Sequence, residues 1–199
     1  MNSSKDLITD KILKASIQLI NQFGYGSLGL SEIARKTGIT KQRLYYHYPT
    51  PKDIILVLAN KWSHTGQDCA LQALAKSNDQ GALKILAISD GLFDWMKQNK
   101  ELSRIGLVLY QSSPYIKKLQ NFMDKARHSA RDRIKSLLLQ DNRYKKMKAK
   151  DLENFITTIH SFLYGFYFYI ITMNDFDQIE IHEKNCREGL MKLLSDESY

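Results

Sequence analysis

Apolar residues recur every three or four positions along nearly the whole chain. The first run has spacings of 4, 3, 4 and 4, which place it on one face of a helix: Ile8, Ile12, Ala15, Leu19 and Phe23. Gly24 and Gly26 follow and end this helix, because glycine tolerates the left-handed backbone of a helix C-terminus. No run alternates between apolar and polar residues as a strand would. The sequence therefore predicts an all-α fold.

Residue types that start or stop helices divide the rest of the chain. Gly38 closes one short helix, Thr40 is a good N-cap for the next, and Pro49 stops that one. Thr50 and Pro51 suit the N-cap and first position of a longer helix. The helices predicted after the first cover about 30–37, 41–48, 51–75, 80–98, 101–112, 115–140, 150–174 and 178–195.

One segment is apolar enough to raise the question of a membrane span. Residues 155–174 contain no Asp, Glu, Lys or Arg, and uncharged stretches of roughly 18 residues or more are candidates. Thr157, Thr158, His160 and Ser161 interrupt its first half, however, and no comparable second segment exists. We therefore expect a helix that is buried on all sides of a soluble core.

The overall charge favours a polyanionic partner. The 199 residues include 29 Lys and Arg against 21 Asp and Glu, a net charge of +8, which is typical of proteins that bind nucleic acid or an anionic membrane. Residues 1–62 hold nine basic and four acidic residues. A second basic cluster at 125–150 is interpreted as a solvated surface, with a second nucleic-acid patch as the alternative.

The segment LSEIARKTGITKQRLYYHY, residues 30–48, carries the strongest functional pattern. Ile33, Ile39 and Leu44 have the spacing at which two short helices share a core. Ala34 lets the helices approach closely and Gly38 makes the turn between them, a pattern typical of a helix-turn-helix.

The outer face of the second helix suits DNA. It carries hydrogen-bond donors, cations and aromatic residues with polar tips: Lys41, Gln42, Arg43, Tyr45 and His47. In the major groove, Arg and Lys reach guanine and Gln pairs with adenine. Tyrosine, lysine and the helix N-terminus at Thr40 suit phosphate. A plain helical hairpin with a solvated polar face is the alternative.

Residues 9–60 resemble the N-terminal DNA-binding domain of the TetR family of bacterial transcriptional regulators. The resemblance rests on the order of a helix, a Phe-Gly-Tyr turn, Ile-Ala, Gly-Ile-Thr-Lys, Leu-Tyr-Tyr-His-Tyr and a new apolar helix. It implies an N-terminal three-helix helix-turn-helix domain plus a C-terminal helical ligand-binding and dimerisation domain. The implied boundaries are 1–50 for DNA binding, 51–75 for a helix shared by both domains, and 76–199 for ligand sensing and dimerisation.

The resemblance also implies roles for individual residues. Gln42 and Arg43 occupy the positions that reach base edges, whereas Tyr46 and Tyr48 pack inward. The residues assigned to DNA are Ser31, Thr40, Lys41, Gln42, Arg43, Tyr45, His47 and Lys52. The chain departs from the family at Gly29, where a Thr or Ser hydroxyl is usual and Ser31 replaces it only in part, and at Lys52, which is displaced by one residue.

A palindromic operator requires two copies of the helix-turn-helix, so we expect a homodimer. The family uses its last two long helices as the interface, here Ile156, Ile159, Leu163, Phe166 and Ile170. The C-terminal domain is expected to bind an unidentified small molecule among Trp62, Phe93, Asp94, Tyr110, Phe122, Tyr164 and Phe168. The alternative is that the aromatic residues among them belong to the plain core. Asp90 and Asp94, one turn apart, could meet a cationic ligand, although a solvated helix face explains them equally well.

The predicted function is therefore a ligand-responsive transcriptional regulator. By default in the family, it is a repressor that a small molecule releases from DNA. The sequence contains no catalytic signature, and His182 with Cys186 supplies too few ligands for a zinc site, so no catalytic residue, metal or cofactor is expected. Two cysteines and the lack of an apolar N-terminal run favour the cytoplasm. A helical enzyme or an interaction scaffold is the alternative.

Overall fold

The computed structural model describes residues 4–195 of the chain, with side chains from residue 7 onward. Ten α-helices follow one another in this part: α1 Ser4–Phe23, α2 Leu30–Thr37, α3 Lys41–His47, α4 Pro51–Lys76, α5 Lys84–Gln98, α6 Lys100–Ser112, α7 Lys117–Leu138, α8 Asn142–Lys145, α9 Ala149–Met173 and α10 Ile179–Ser195. No strand occurs between residues 4 and 195. The all-α prediction is confirmed. The outer ends of the predicted domains, residues 1–3 and 196–199, lie outside the described residues.

The predicted helix bounds agree with the observed ones to within a few residues, but α8 was missed. This helix has four residues, too few to be stable alone. Its Tyr144 is buried, stacks on Phe155 with ring centroids 5.5 Å apart, and donates a hydrogen bond of 3.1 Å to the carbonyl oxygen of Leu194. Contacts with distant parts of the chain therefore hold α8 in place.

The chain forms two compact units. The first consists of Met1–Ser63 and Glu101–Met123, and the second of His64–Lys100 and Asp124–Tyr199. This division follows packing, whereas the boundaries predicted at 50 and 75 follow function, so the functional division stays a prediction.

The core of the first unit holds α1, α2 and α3 together. α1 packs against α2, and α2 packs against α3. The fully buried side chains here come from all three helices and from the start of α4: Ile12, Ile33, Leu44, Ile54, Ile55 and Leu58. Asn21 also donates a hydrogen bond of 2.9 Å to the carbonyl oxygen of Glu101, which connects the end of α1 to α6.

In the second unit, α10 packs against both α5 and α9. Lys97 of α5 forms an ion pair of 2.6 Å with Glu183 of α10, and Asp90 pairs with Arg187. Cys186 of α10 is buried as a free thiol, and burial raises its pKa to about 11, so it stays protonated at neutral pH. The α5–α10 contact therefore combines an apolar centre with ion pairs at its edge.

The exposure of α9 corrects one prediction. By length and composition α9 could cross a membrane, because an 18-residue segment of it has a mean hydropathy of 1.3. Only 33% of that segment is buried, however. The expectation that it is buried on all sides is wrong. Small and polar residues at spacings of three or four form an exposed strip along it: Asn154, Thr158, Ser161 and Gly165. The absence of charged residues did not predict burial here, because the residues of this strip are uncharged without being strongly apolar.

Candidate nucleic-acid interface

The turn between α2 and α3 depends on the left-handed backbone of Gly38. This residue has φ 71°, and its N–H donates a hydrogen bond of 3.0 Å to the carbonyl oxygen of Ala34. Residues with a side chain rarely adopt this conformation. The hydroxyl of Thr37 donates to the carbonyl oxygen of Ile33 at 2.7 Å, which satisfies another group at the end of α2. The turn is therefore fixed by hydrogen bonds within the motif.

Thr40 begins α3 as the sequence predicts. It is the N-cap, and its Oγ1 accepts a hydrogen bond of 3.3 Å from the backbone N–H of Arg43. Leu44 is fully buried and turns one side of the helix into the core. Together they leave the opposite side of α3 facing outward.

The exposed side of α3 carries most of the residues predicted to contact DNA. Lys41, Gln42, Arg43 and Tyr45 are all exposed, and His47 is half-buried beside the rings of its neighbours. No carboxylate belongs to α3, and no ion pair to Lys41 or Arg43 forms within the described part of the chain. This face therefore presents uncompensated positive charge.

Tyr46 corrects the sequence interpretation. It was expected to pack inward, but its side chain is 84% exposed, whereas Tyr48 is buried as predicted. Successive helical residues are about 100° apart, so Tyr46 lies roughly opposite Leu44, and Tyr48 returns to the buried side. Counting positions from Leu44 would have revealed this. Tyr46 therefore belongs to the exposed face of α3.

A shallow cleft lies beside the start of α3. It has a volume of about 540 Å³ and brings together three of the residues predicted to contact DNA, Ser31, Thr40 and Lys41. Arg35 and Glu32, one turn apart, also line it and form an ion pair of 2.8 Å with each other. Hydroxyl groups, a lysine and the N-terminus of α3 therefore converge on one cleft, an arrangement suited to a phosphate oxygen.

The start of α4 is also fixed by its own residues. Asp53 accepts hydrogen bonds from the backbone N–H of Thr50 at 2.9 Å and from its hydroxyl at 2.7 Å. A side chain at the third helical position that bonds back to the N-cap stabilises a helix start. Lys52 is exposed in this first turn, where its ammonium group is accessible to a ligand.

Gly29 is the N-cap of α2 and offers no side-chain hydrogen bond. Its backbone is extended and a Cβ there would meet nothing within 4 Å, so the Gly29→Ser hydroxyl can cap the helix. We expect Gly29→Ser to be about 1 kcal/mol more stable than Gly29→Ala, which adds the same Cβ without the hydroxyl. Urea unfolding of the two variants measures this difference. Equal stability would show that the hydroxyl does not cap α2.

The residues predicted to form a ligand pocket are divided between the two units. Trp62, Tyr110 and Phe122 belong to the first unit, with the Trp62 and Tyr110 rings edge to face at 6.2 Å. The second unit contains Phe93, Asp94, Tyr164 and Phe168, and the Tyr164 and Phe168 rings lie 6.0 Å apart. Asp94 is exposed and lies 3.6 Å from the Nζ of Lys97. A pocket formed by all seven stays a prediction.

Most residues predicted to form the dimer interface lie inside the single chain. Ile156, Ile159, Leu163 and Ile170 are buried, and Phe166 alone of the five is partly exposed. They contribute to the core of their own unit because they share the inner side of α9. The outer side of the helix is the exposed strip described above.

His182 and Cys186, considered as metal ligands, have separate partners. The Nε2 of His182 lies 2.8 Å from a carboxylate oxygen of Asp175, and the thiol of Cys186 lies 3.5 Å from the hydroxyl of Ser89. In the described part of the chain, no three His, Cys, Asp or Glu residues are grouped to hold a metal ion.

Comparison with known families identifies the N-terminal segment. Residues 12–57 match the model of the bacterial regulatory proteins of the tetR family, a segment that contains the whole helix-turn-helix. This segment is therefore a TetR-type DNA-binding domain. No curated protein sequence matches it.

Solved structures show that the TetR-like fold extends over the whole chain. The fatty acid degradation regulator FadR from Bacillus halodurans is 17% identical, with 100% of this chain and 99% of that chain covered and a TM-score of 0.75. A TetR-family regulator from Syntrophomonas wolfei is 12% identical, covers 98% of both chains and has a TM-score of 0.76. A regulator from Saccharomonospora viridis, solved with choline, is 15% identical, with 93% and 96% covered and a TM-score of 0.73.

Proposed function

We propose that this chain is a TetR-family regulator, a sequence-specific repressor that binds a palindromic operator as a homodimer and is released by a small molecule. The observation that carries the proposal is the outer side of α3, where cations and aromatic residues with polar tips are exposed on a helix whose cap, turn and buried Leu44 fix its position. A non-enzymatic, cytoplasmic role accords with this function.

In this proposal, α3 lies in the major groove. Arg43 and Gln42 contact base edges, because their side chains can form paired hydrogen bonds with guanine and adenine. Lys41, Tyr45 and His47 hold phosphate, together with Ser31 and Thr40 beside the cleft and Lys52 at the start of α4. Tyr46 adds a further phosphate contact because of its exposure.

A DNA selection tests this assignment. Duplexes selected from a random pool should contain two half-sites with centres about 34–36 Å apart or a multiple of that distance. Binding should weaken steeply as salt rises. If no duplex binds selectively even at low salt, the proposed function is wrong.

Lys41→Ala should weaken binding to all duplexes alike, because a phosphate contact carries no base information. The dependence of log Kd on log salt should become shallower by about 1. Titrations of the selected duplex and of a scrambled duplex at several salt concentrations measure both effects. A loss confined to the selected duplex would move Lys41 from phosphate to a base.

The homodimer is proposed to form through the outer sides of α9 and α10. Four large apolar side chains are exposed on this helix pair, at 49–64%: Tyr169, Met173, Ile181 and Met191. Gly165 of α9 has open space around it, which lets another helix approach closely. A second copy of the chain is the occupant, since a two-fold axis lets the same apolar patch cover itself.

Ile181→Glu should convert the dimer to a monomer at micromolar concentration, because it would place a charge in an apolar contact. Sedimentation velocity measures the change, and operator binding should fall with it. Leu71→Glu is the matched control, because Leu71 is an apolar residue of α4 that is exposed to a similar extent. A dimer that survives Ile181→Glu would place the interface elsewhere.

The response to a small molecule follows a two-state scheme, in which the ligand binds one conformation of the protein more tightly than the other. The ligand would bind a conformation in which the two copies of α3 do not fit successive major grooves, and α4 would transmit the change. The regulator solved with choline binds a cation, but here Asp90 pairs with Arg187 and Asp94 lies near Lys97. These carboxylates therefore give little support to a cationic ligand in this chain.

A further inference from the structure

A groove between α7 and α9 lies apart from the residues assigned to DNA, and Ser161 of its lining belongs to the exposed strip of α9. The groove lies within the second unit and has a volume of about 490 Å³, which is in the range of small-molecule sites. α7 contributes Arg127, Arg131 and Lys135, which recur every fourth residue and therefore share one face of the helix. α9 contributes Glu153 and His160 from the opposite wall.

The cations of this groove have carboxylate partners. Glu153 alone faces two cations, with its oxygens 3.3 Å from Arg131 and 2.6 Å from Lys135. The hydrogen bond from Lys135 holds the pKa of Glu153 below its usual range, so the carboxylate stays ionised. Asp132 supplies the other carboxylate of the lining. Arg127 forms an ion pair of 2.8 Å with Asp124 of the same helix, so three carboxylates match the three cations. Each guanidinium group uses one N–H in these contacts and has further N–H donors.

His160 supplies a polar atom that the protein leaves unused. Its Nε2 is buried and has no hydrogen-bond partner in the described part of the chain, while its ring stacks on Tyr164 with centroids 4.4 Å apart. Burial, followed by the positive charges of Arg131 and Arg127, lowers the pKa of His160 to about 4. The ring is therefore neutral at pH 7, in a positive potential, and one of its nitrogens can donate to an oxyanion.

We propose that this groove binds the carboxylate or phosphate group of a small ligand, with Arg131 and Arg127 as counter-charges and His160 as a hydrogen-bond partner. An anion there would accept hydrogen bonds from the remaining guanidinium N–H groups and from the histidine. Binding does not depend on the function proposed above. A second part of the proposal does rest on that function: the bound anion changes the affinity for the operator. The regulatory ligand would then be a small organic acid or a phosphate ester.

The binding test uses NMR of the full-length protein. The Hε1 signal of His160, assigned by its loss in His160→Gln, is followed during titration at pH 7 with inorganic phosphate and separately with glutarate. Sodium chloride at matched ionic strength is the control. A saturable shift with either anion, absent with chloride, is the expected result, and the stronger of the two anions identifies phosphate or carboxylate as the preferred group.

Two matched variants distinguish a specific anion site from the nonspecific attraction of anions to a basic helix. Arg131→Gln removes a counter-charge of the groove, while Glu153 keeps its contact with Lys135. Arg133→Gln removes the same charge from the same helix, but Arg133 does not line the groove. We expect at least tenfold weaker anion binding in Arg131→Gln and less than a twofold change in Arg133→Gln. Equal losses in both variants, or no saturable shift in the unaltered protein, would overturn the site.

A third measurement tests the effect on DNA separately. The Kd for the selected operator is compared with and without a saturating concentration of the bound anion at constant ionic strength. A change in Kd that Arg131→Gln abolishes supports the regulatory role. An unchanged Kd with the anion bound overturns that role and leaves the site intact. If the protein binds no operator at all, the proposed function fails, whereas the titration of His160 still decides the site.

Discussion

Arg43→Ala is expected to weaken binding to the selected operator by about 1–3 kcal/mol, a factor of roughly 5 to 150, and to relax the preference at one base pair of each half-site. Arg43 is exposed on α3, and its backbone N–H is held by the cap at Thr40. Its guanidinium group is therefore carried by a fixed helix rather than by a mobile loop. Competition titrations against duplexes altered at each position would measure both the affinity and the preference.

Arg43→Lys separates charge from base recognition. Lysine keeps the positive charge but loses the planar pair of donors that fits a guanine edge. The affinity for a scrambled duplex should therefore stay within about twofold of the original value, while the preference at that base pair is reduced. Lys125→Ala removes an exposed charge from α7 and should leave both quantities unchanged. An unaltered base preference in Arg43→Ala would contradict the placement of α3 in the major groove.

Gly91→Ala is expected to lower the free energy of unfolding by about 2 kcal/mol, because the added methyl group would overpack a close helix contact. A Cβ at position 91 of α5 would lie 2.7 Å from the Cα of Ala70 and 2.7 Å from the carbonyl oxygen of Cys69, both in α4. These are backbone atoms and cannot move aside without shifting the helix. The midpoint of thermal unfolding should fall by about 4–8 °C.

Gly66→Ala is the matched control for this prediction. Gly66 lies on the α4 side of the same pair of helices, but a Cβ there would lie 3.7 Å from the ring of Trp95 in α5, at ordinary contact distance. Alanine is favoured over glycine in a helix by about 0.5–1 kcal/mol, so this variant should be slightly more stable than the unaltered protein. A similar loss of stability in both variants would show that the α4–α5 contact is not the cause.

The helix-turn-helix could be predicted from the sequence almost completely. Its helices begin and end at residues whose preferences are local, Thr40 as a cap and Gly38 as a left-handed turn, and both are found in these roles. Its buried side follows from the helical period through Leu44. Tyr46 was misplaced because the family resemblance implied that it packs inward, although the same period places it on the outer side.

Features that depend on distant contacts could not be predicted in this way. α8 exists because Tyr144 is held by Phe155 and Leu194, and nothing within the four residues of α8 indicates those partners. The groove beside His160 likewise requires α7 and α9 to lie side by side, since the regular spacing of Arg127, Arg131 and Lys135 alone is equally typical of a solvated surface.

The sequence by itself determined the helical class, the bounds of the longer helices and most of the exposed face of α3, because capping, turn formation and helical period act over a few residues. Only the tertiary structure decided which side of α9 is exposed. Ile156 and Thr158 lie two positions apart in its uncharged stretch, and the helices around it bury one and leave the other in solvent. The tertiary structure also decided which cations share a carboxylate, because Glu153 meets Arg131 and Lys135 only through the packing of two separate helices.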